Sequence, residues 1–172
     1  MKKFYHLEDE DDSKVWANVE EAHDFDFIGE KIYDMPLEYP YKFKMINGHF
    51  LDYTPTDTYT IFSEKLKKIV DKFEKNLEWI HLKVEDQDGS IKDAYLPRYV
   101  PKLHMFDVLD EKYSIVDEYG LIMPALSEKK LKNRHFIRLL ENQHMNYVSE
   151  DLKKAMQKAK VTGVRFSKRK LF

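Results

Sequence analysis

The 172-residue sequence predicts an α+β fold: a mostly antiparallel sheet with two similar amphipathic helices, about residues 64–75 and 150–160, packed on it. Three observations point there. Phe62-Ser63-Glu64-Lys65-Leu66-Lys67-Lys68 is echoed 86 residues later by Val148-Ser149-Glu150-Asp151-Leu152-Lys153-Lys154. The apolar positions match as well, Phe62, Leu66, Ile69, Val70 and Phe73 against Val148, Leu152, Ala155, Met156 and Ala159. Both sets run i, i+4, i+7, i+8, i+11, which is one stripe of an amphipathic helix. Each stretch then precedes a β-type run, residues 77–84 in the first unit and 161–166 in the second.

Taken in order, residues 3–7 read as a short strand that runs into Glu8-Asp9-Glu10-Asp11-Asp12. Five adjacent carboxylates repel one another and predict a solvated loop. Residues 13–30 carry two signals: Val15, Trp16, Val19 and Ala22 are spaced like a helical face, while Phe25 and Phe27 alternate like a strand. Pro36 and Pro40 interrupt the next stretch. Asn47-Gly48 predicts a hairpin between residues 42–46 and 49–53, because both turn residues tolerate positive φ. Ser63 and Ser149 each stand before acidic residues, where the hydroxyl can accept a free backbone N–H and the carboxylates meet the positive end of the helix dipole. Asp88-Gly89 predicts a second hairpin between residues 78–85 and 91–96, and Pro97 and Pro101 bracket an irregular segment. After Gly120 come an apolar run to Met123, a polar stretch at 127–133, a strand-like run at 135–140 and a last strand through Val164-Arg165-Phe166. There is no linker and no low-complexity segment. One domain over 1–172 is expected, with residues 1–57 able to form a small N-terminal lobe within it.

Composition excludes whole classes of chemistry. The chain has no cysteine, so disulfides, thiolate catalysis and Cys-ligated metals are out. Its first residues turn acidic at once and resemble no signal peptide, and no window approaches the ~18 apolar residues of a membrane span. A cytoplasmic protein is expected. The net charge of −2 hides an asymmetry. Residues 1–30 hold three Lys against ten Asp or Glu, whereas residues 128–172 hold thirteen Lys or Arg against four Asp or Glu. The acidic head and basic tail can neutralise each other in the fold, or serve as two binding faces.

Reactive constellations are missing. The seven histidines, at 6, 23, 49, 81, 104, 135 and 144, form no metal-binding pair. His135 and His144 border aromatic or apolar runs and read as hydrogen-bonded structural residues. Five glycines form neither a dinucleotide fingerprint nor a phosphate loop, and there is no nucleophile elbow. Asp107 and Asp110 have the spacing of paired carboxylates but, among 31 acidic residues, read better as turn and cap residues. No catalytic residue, metal or cofactor is expected. The tail Arg165-Phe166-Ser167-Lys168-Arg169-Lys170 looks like a nucleic-acid patch, yet it is short and isolated and reads as a frayed, solvated end.

One resemblance adds to this. The Ser-Glu-x-Leu-Lys-Lys helix, Leu103-x-x-Phe106-Asp107-x-Leu109-Asp110-x-x-x-Ser114, Phe136-Ile137-Arg138-Leu139, and Val148-Ser149-Glu150 followed by Thr162-Gly163-Val164-x-Phe166 resemble bacterial polymorphic-toxin immunity proteins. The family, formerly catalogued as a domain of unknown function, is matched over roughly residues 58–166. The resemblance implies an α+β fold and a non-catalytic protein that binds and neutralises a cognate toxin domain. If that domain is basic, the acidic head would supply the contact, through Glu8, Asp9, Glu10, Asp11, Asp12, Glu20, Glu21, Asp24 and Asp26. Two alternatives stay open: a small hydrolase or transferase with an unrecognised Asp/Glu/His site, and a nucleic-acid-binding protein using the basic C-terminal third. No membrane partner is expected.

Overall fold

The computed structural model describes residues 3–10, 15–19, 32–56, 60–117, 120–142 and 144–172. The strands are β1 (Phe4–Asp9), β2 (Trp16–Val19), β3 (Glu38–Asn47), β4 (Tyr53–Pro55), β5 (Thr60–Ser63), β6 (Leu77–Glu85), β7 (Ile91–Tyr99), β8 (Ile115–Asp117), β9 (Gly120–Met123), β10 (Phe136–Arg138), β11 (Asn146–Ser149) and β12 (Val164–Arg169). Among the described residues the two α-helices are α1 (Glu64–Val70) and α2 (Glu150–Lys158).

The expected α+β class is overturned. The fold is mostly β, 44% strand against 15% helix, so helices are minor additions to it. Six strands in the order β2-β3-β6-β7-β5-β4 form a nearly closed barrel, and a bridge from Ala17 to Thr56 draws its first and last strands together. Alternate side chains fill it: Phe43 and Met45 from β3, Ile80, Leu82 and Val84 from β6, Ala94 and Leu96 from β7, and Ile61 from β5. This period-2 filling is how a small barrel makes its core. A second, four-stranded sheet, β10-β11-β1-β12, packs with both helices against the outside of the barrel wall. The reason for the miss is physical. Closure depends on β3 pairing parallel with β6 some 40 residues away (Phe43 opposite Val84), and no local spacing encodes such a partner.

Local readings fare unevenly. Ser63 and Ser149 cap their helices, each hydroxyl accepting the backbone N–H three residues on, at 3.2 and 3.3 Å. Leu66, Val70, Leu152 and Met156 are buried in the shared core. α1 stops at Val70, short of 75: the Lys72 and Phe73 N–H groups reach back only three residues, to the Ile69 and Val70 carbonyls, which tightens the last turn, and Glu74 turns inward to accept from His135 N. The Asp88-Gly89 hairpin is present, with Gly89 at φ +79° and β7 continuing through Pro97 to Tyr99. The Asn47-Gly48 hairpin is not. Asp86 accepts from Phe50 N and contacts His49, so the chain is held near the β6–β7 turn, and β4 pairs with β5 instead. The acidic run is not simply a loop, since Glu8 and Asp9 lie in β1. The basic tail is not frayed: residues 164–169 form β12, and Leu171 bridges to Leu126.

A staple joins the two helical units. The buried Asp52 carboxylate accepts from Ser63 Oγ (2.6 Å), Lys65 Nζ (2.8 Å), Thr162 N (2.9 Å) and Thr162 Oγ1 (3.1 Å). Tyr53 N donates to the Thr162 carbonyl at 3.2 Å. Gly163, at φ +83°, lies so close that a Cβ there would sit 2.3 Å from the Tyr53 carbonyl oxygen. Only glycine fits that approach. The Thr162-Gly163 pair that helps carry the family resemblance is therefore a scaffold clamp.

Candidate partner-binding surface

β1 lies between β11 and β12, so the acidic head meets the basic tail directly. Glu8 stands opposite Arg165, and Asp9 opposite Val164. Arg169 reaches Glu8 at 3.8 Å and donates to His6 Nδ1 at 3.0 Å. Burial, helped by the Arg169 charge and opposed by Glu8, holds the His6 pKa below its ordinary value. The neutral ring then accepts from Arg169, and its 3.4 Å approach to Glu8 is not an ion pair. His6 Nε2 is buried without a hydrogen-bond partner among the described residues.

These side chains border an open cleft of about 330 Å³, lined by His6, Glu8, Asp9, Thr60, His144 and Arg165. Glu10 plays a different part. Its carboxylate accepts from Gly163 N at 3.2 Å while its own N–H donates to the Gly163 carbonyl at 3.2 Å, so it belongs to the clamp. Of the nine acidic residues expected at an interface, Glu8 and Asp9 line the cleft, while Glu10 is drawn into the clamp. Asp11, Asp12, Glu20, Glu21, Asp24 and Asp26 lie outside the described residues.

The remaining flagged residues are structural. Asp107 accepts from His104 N at 2.8 Å across the 3-10 turn Met105–Asp107, and Asp110 accepts from Lys112 N at 3.0 Å. His135 Nδ1 hydrogen-bonds the capping Ser149 at 2.8 Å. Arg138, buried, donates to Asn146 Oδ1 (3.0 Å) and to the Thr60 carbonyl (2.6 Å), fastening β10 to the barrel. Nothing in the spacing marks Asp52, whose partner Thr162 is 110 residues away. Among the described residues no three His, Asp or Glu side chains gather as a metal site would require. No helix among them is long and apolar enough to cross a membrane.

Compared with known families, residues 14–170 match the model of the immunity protein family Imm11. The match takes in most of the N-terminal stretch that the resemblance read from the sequence, starting at residue 58, left out. No curated protein matches the chain.

Proposed function

We propose a function from one premise: the chain belongs to the immunity protein family Imm11. It binds a cognate toxin domain in the cytoplasm of the cell that makes both, and silences it without chemistry of its own. The match over residues 14–170 carries this reading. An inhibitor needs a stiff scaffold and a complementary surface rather than a reactive constellation. The Asp52–Thr162 staple and the filled barrel are consistent with such a scaffold.

The acidic N-terminal segment supplies part of the contact. Glu8 and Asp9 on the cleft edge would face a basic toxin surface and steer its approach. Co-expression with each toxin domain that the flanking genes encode tests the function: restored growth with one of them is expected, and continued killing with all would sink the immunity reading. The segment is tested separately with Glu8→Gln, Asp9→Asn, Asp11→Asn and Asp12→Asn combined, leaving Glu10 in its clamp. Slower association with a flatter salt dependence is expected, with little change in Tm. An unchanged association rate would refute the contact while leaving the function standing.

A further inference from the structure

We infer that Asn47 is a site of spontaneous covalent modification: its side-chain amide is lost through a cyclic imide closed by the Gly48 nitrogen, leaving aspartate or isoaspartate at the rim of the barrel. The inference is independent of the immunity reading.

Six asparagines occur in the chain, and only Asn47 precedes a glycine. Imide closure swings the following backbone nitrogen onto the side-chain carbonyl carbon, and a Cβ on that following residue would obstruct the approach. Asn47 is the last residue of β3 and is exposed. Gly48 lies beyond the last ladder pair, Trp16 opposite Asn47, at φ +67°. Among the described residues no hydrogen bond ties down the Gly48 N–H or the Asn47 side-chain amide.

Other candidate sites are held. Asn146 is buried, its Oδ1 accepting from Arg138 Nε and its Nδ2 donating to Tyr53 Oη, each at 3.0 Å. Asn142 Oδ1 accepts from His144 N and Met145 N at 3.2 Å each, and Asn18 Oδ1 accepts from Trp16 Nε1 at 2.8 Å. The sharper comparison is Asp88-Gly89, which can close the same imide and whose glycine also has a positive φ, +79°. There the Gly89 N–H donates to the Asp86 carbonyl at 2.9 Å. The Asp88 carboxylate accepts from Ser90 N at 2.9 Å and from Ser90 Oγ, and these bonds lower its pKa. That keeps it ionised, the form least open to attack by a nitrogen. Two glycine steps that look alike in sequence are told apart by the fold.

The reaction needs only water. The Gly48 nitrogen gives its proton to solvent and bonds to Asn47 Cγ, the Cγ–Nδ2 bond breaks, and Nδ2 takes a proton from solvent and leaves as ammonia. Water then opens the ring. Addition at Cγ gives aspartate; addition at the main-chain carbonyl gives isoaspartate, with the chain rerouted through the side chain and longer by one methylene. Either product adds a negative charge. The added length falls between two ties to the β6–β7 turn, Gln87 Nε2 to the Ile46 carbonyl (3.0 Å) and Phe50 N to the Asp86 carboxylate (3.4 Å). The barrel filling should therefore survive the change.

The test incubates the full chain, folded and unfolded in urea, at neutral and mildly alkaline pH. Digests are mapped by mass spectrometry, and isoaspartate is read by methyl transfer from S-adenosylmethionine with a purified isoaspartyl methyltransferase. In the folded chain the peptide spanning 45–65 should gain one mass unit and accept methyl groups, faster at the higher pH. Asn47→Gln should abolish both signals with Tm unchanged. Folding should slow conversion at Asn47 by less than about tenfold and at Asp88 by more than that, since only the Gly89 N–H must first break a bond. Slowing at Asn47 of more than about tenfold, or equal slowing at the two sites, would overturn the proposal. So would isoaspartate at Asp88 ahead of Asn47, or a signal that persists in Asn47→Gln.

Discussion

Replacing Asp52 by Ala tests how the two helical units are joined. The substitution removes an acceptor that four hydrogen bonds share, while its own bulk is small. The four do not count equally. Lys65 is 44% exposed and returns to water, so its pair contributes little. Ser63 and Thr162 are part-buried donors to a charged oxygen, at about 1–2 kcal/mol each. The expected loss is about 3 kcal/mol, which lowers the Tm of a domain this size by roughly 6–12 °C. Asp52→Asn keeps the shape and one acceptor and should fall about midway. Circular dichroism in urea gives the magnitude, and a cycle with Thr162→Val gives the coupling, expected at about 1 kcal/mol or more.

The same residue sets a pH dependence. Burial alone would raise its pKa, but the hydrogen bonds from Lys65, Ser63 and Thr162 outweigh it and hold the carboxyl below its ordinary range. Its contribution is therefore complete above the unfolded value of about 3.9 and disappears as pH falls through the lower folded value. The acid limb of the stability curve should flatten in Asp52→Asn. A loss under about 0.5 kcal/mol in Asp52→Ala, or simple additivity with Thr162→Val, would refute the staple.

Gly163→Ala places a Cβ 2.3 Å from the Tyr53 carbonyl at a positive φ, and should cost about 3 kcal/mol or more in urea unfolding. Leu152→Asp sets a charge in a fully buried position of the shared core, and about 4 kcal/mol or more should be lost; a wild-type Tm would show the stripe to be misassigned. His81 bridges Asp93 and Glu38 at 2.7 Å each, stacks on Tyr95, and shares Asp93 with Lys83. The Asp93 hydrogen bond is the largest influence and raises its pKa; desolvation opposes it, and the Glu38 hydrogen bond and the two carboxylate charges add to the rise. Its contribution is full below the unfolded value of about 6.5 and is lost as pH rises through the higher folded value. The Tm difference between wild type and His81→Gln should shrink from pH 6 to pH 8, and an NMR titration of His81 at or below the ordinary value would contradict the bridge.

Local chemistry was readable where one residue decides it. Ser63 and Ser149 cap because a hydroxyl must satisfy a nearby N–H, and Gly89 turns because it tolerates a positive φ. Asn47-Gly48 shows the limit of that logic. The turn residue bends as expected, with Gly48 at φ +67°, but the strand after it goes elsewhere because Asp86 holds the chain. The pairing of β3 with β6, the barrel closure at Ala17 and Thr56, and the Asp52–Thr162 staple are all long-range. No periodicity records them. The acidic head was legible as charge but not as strand, since Glu8 finds Arg165 and Arg169 only when β1 and β12 pair. The exposed face of the β8–β9 ribbon left no trace either, because Ile115 and Met123 look like core residues until the fold leaves them outside.

The four residues of β5 point two ways. Ile61 enters the barrel, while the next residue, Phe62, packs outside it against Tyr53, Trp79 and Phe136. One short strand therefore serves as the wall of both cores, and neither can lose its packing without uncovering the other. Barrel and helical layer should melt together in a single transition, with calorimetric and van't Hoff enthalpies equal. Amide hydrogens of β5 should exchange only through global opening, making this strand the slowest-exchanging segment of the chain, with any partner's grip at the periphery felt there as added protection.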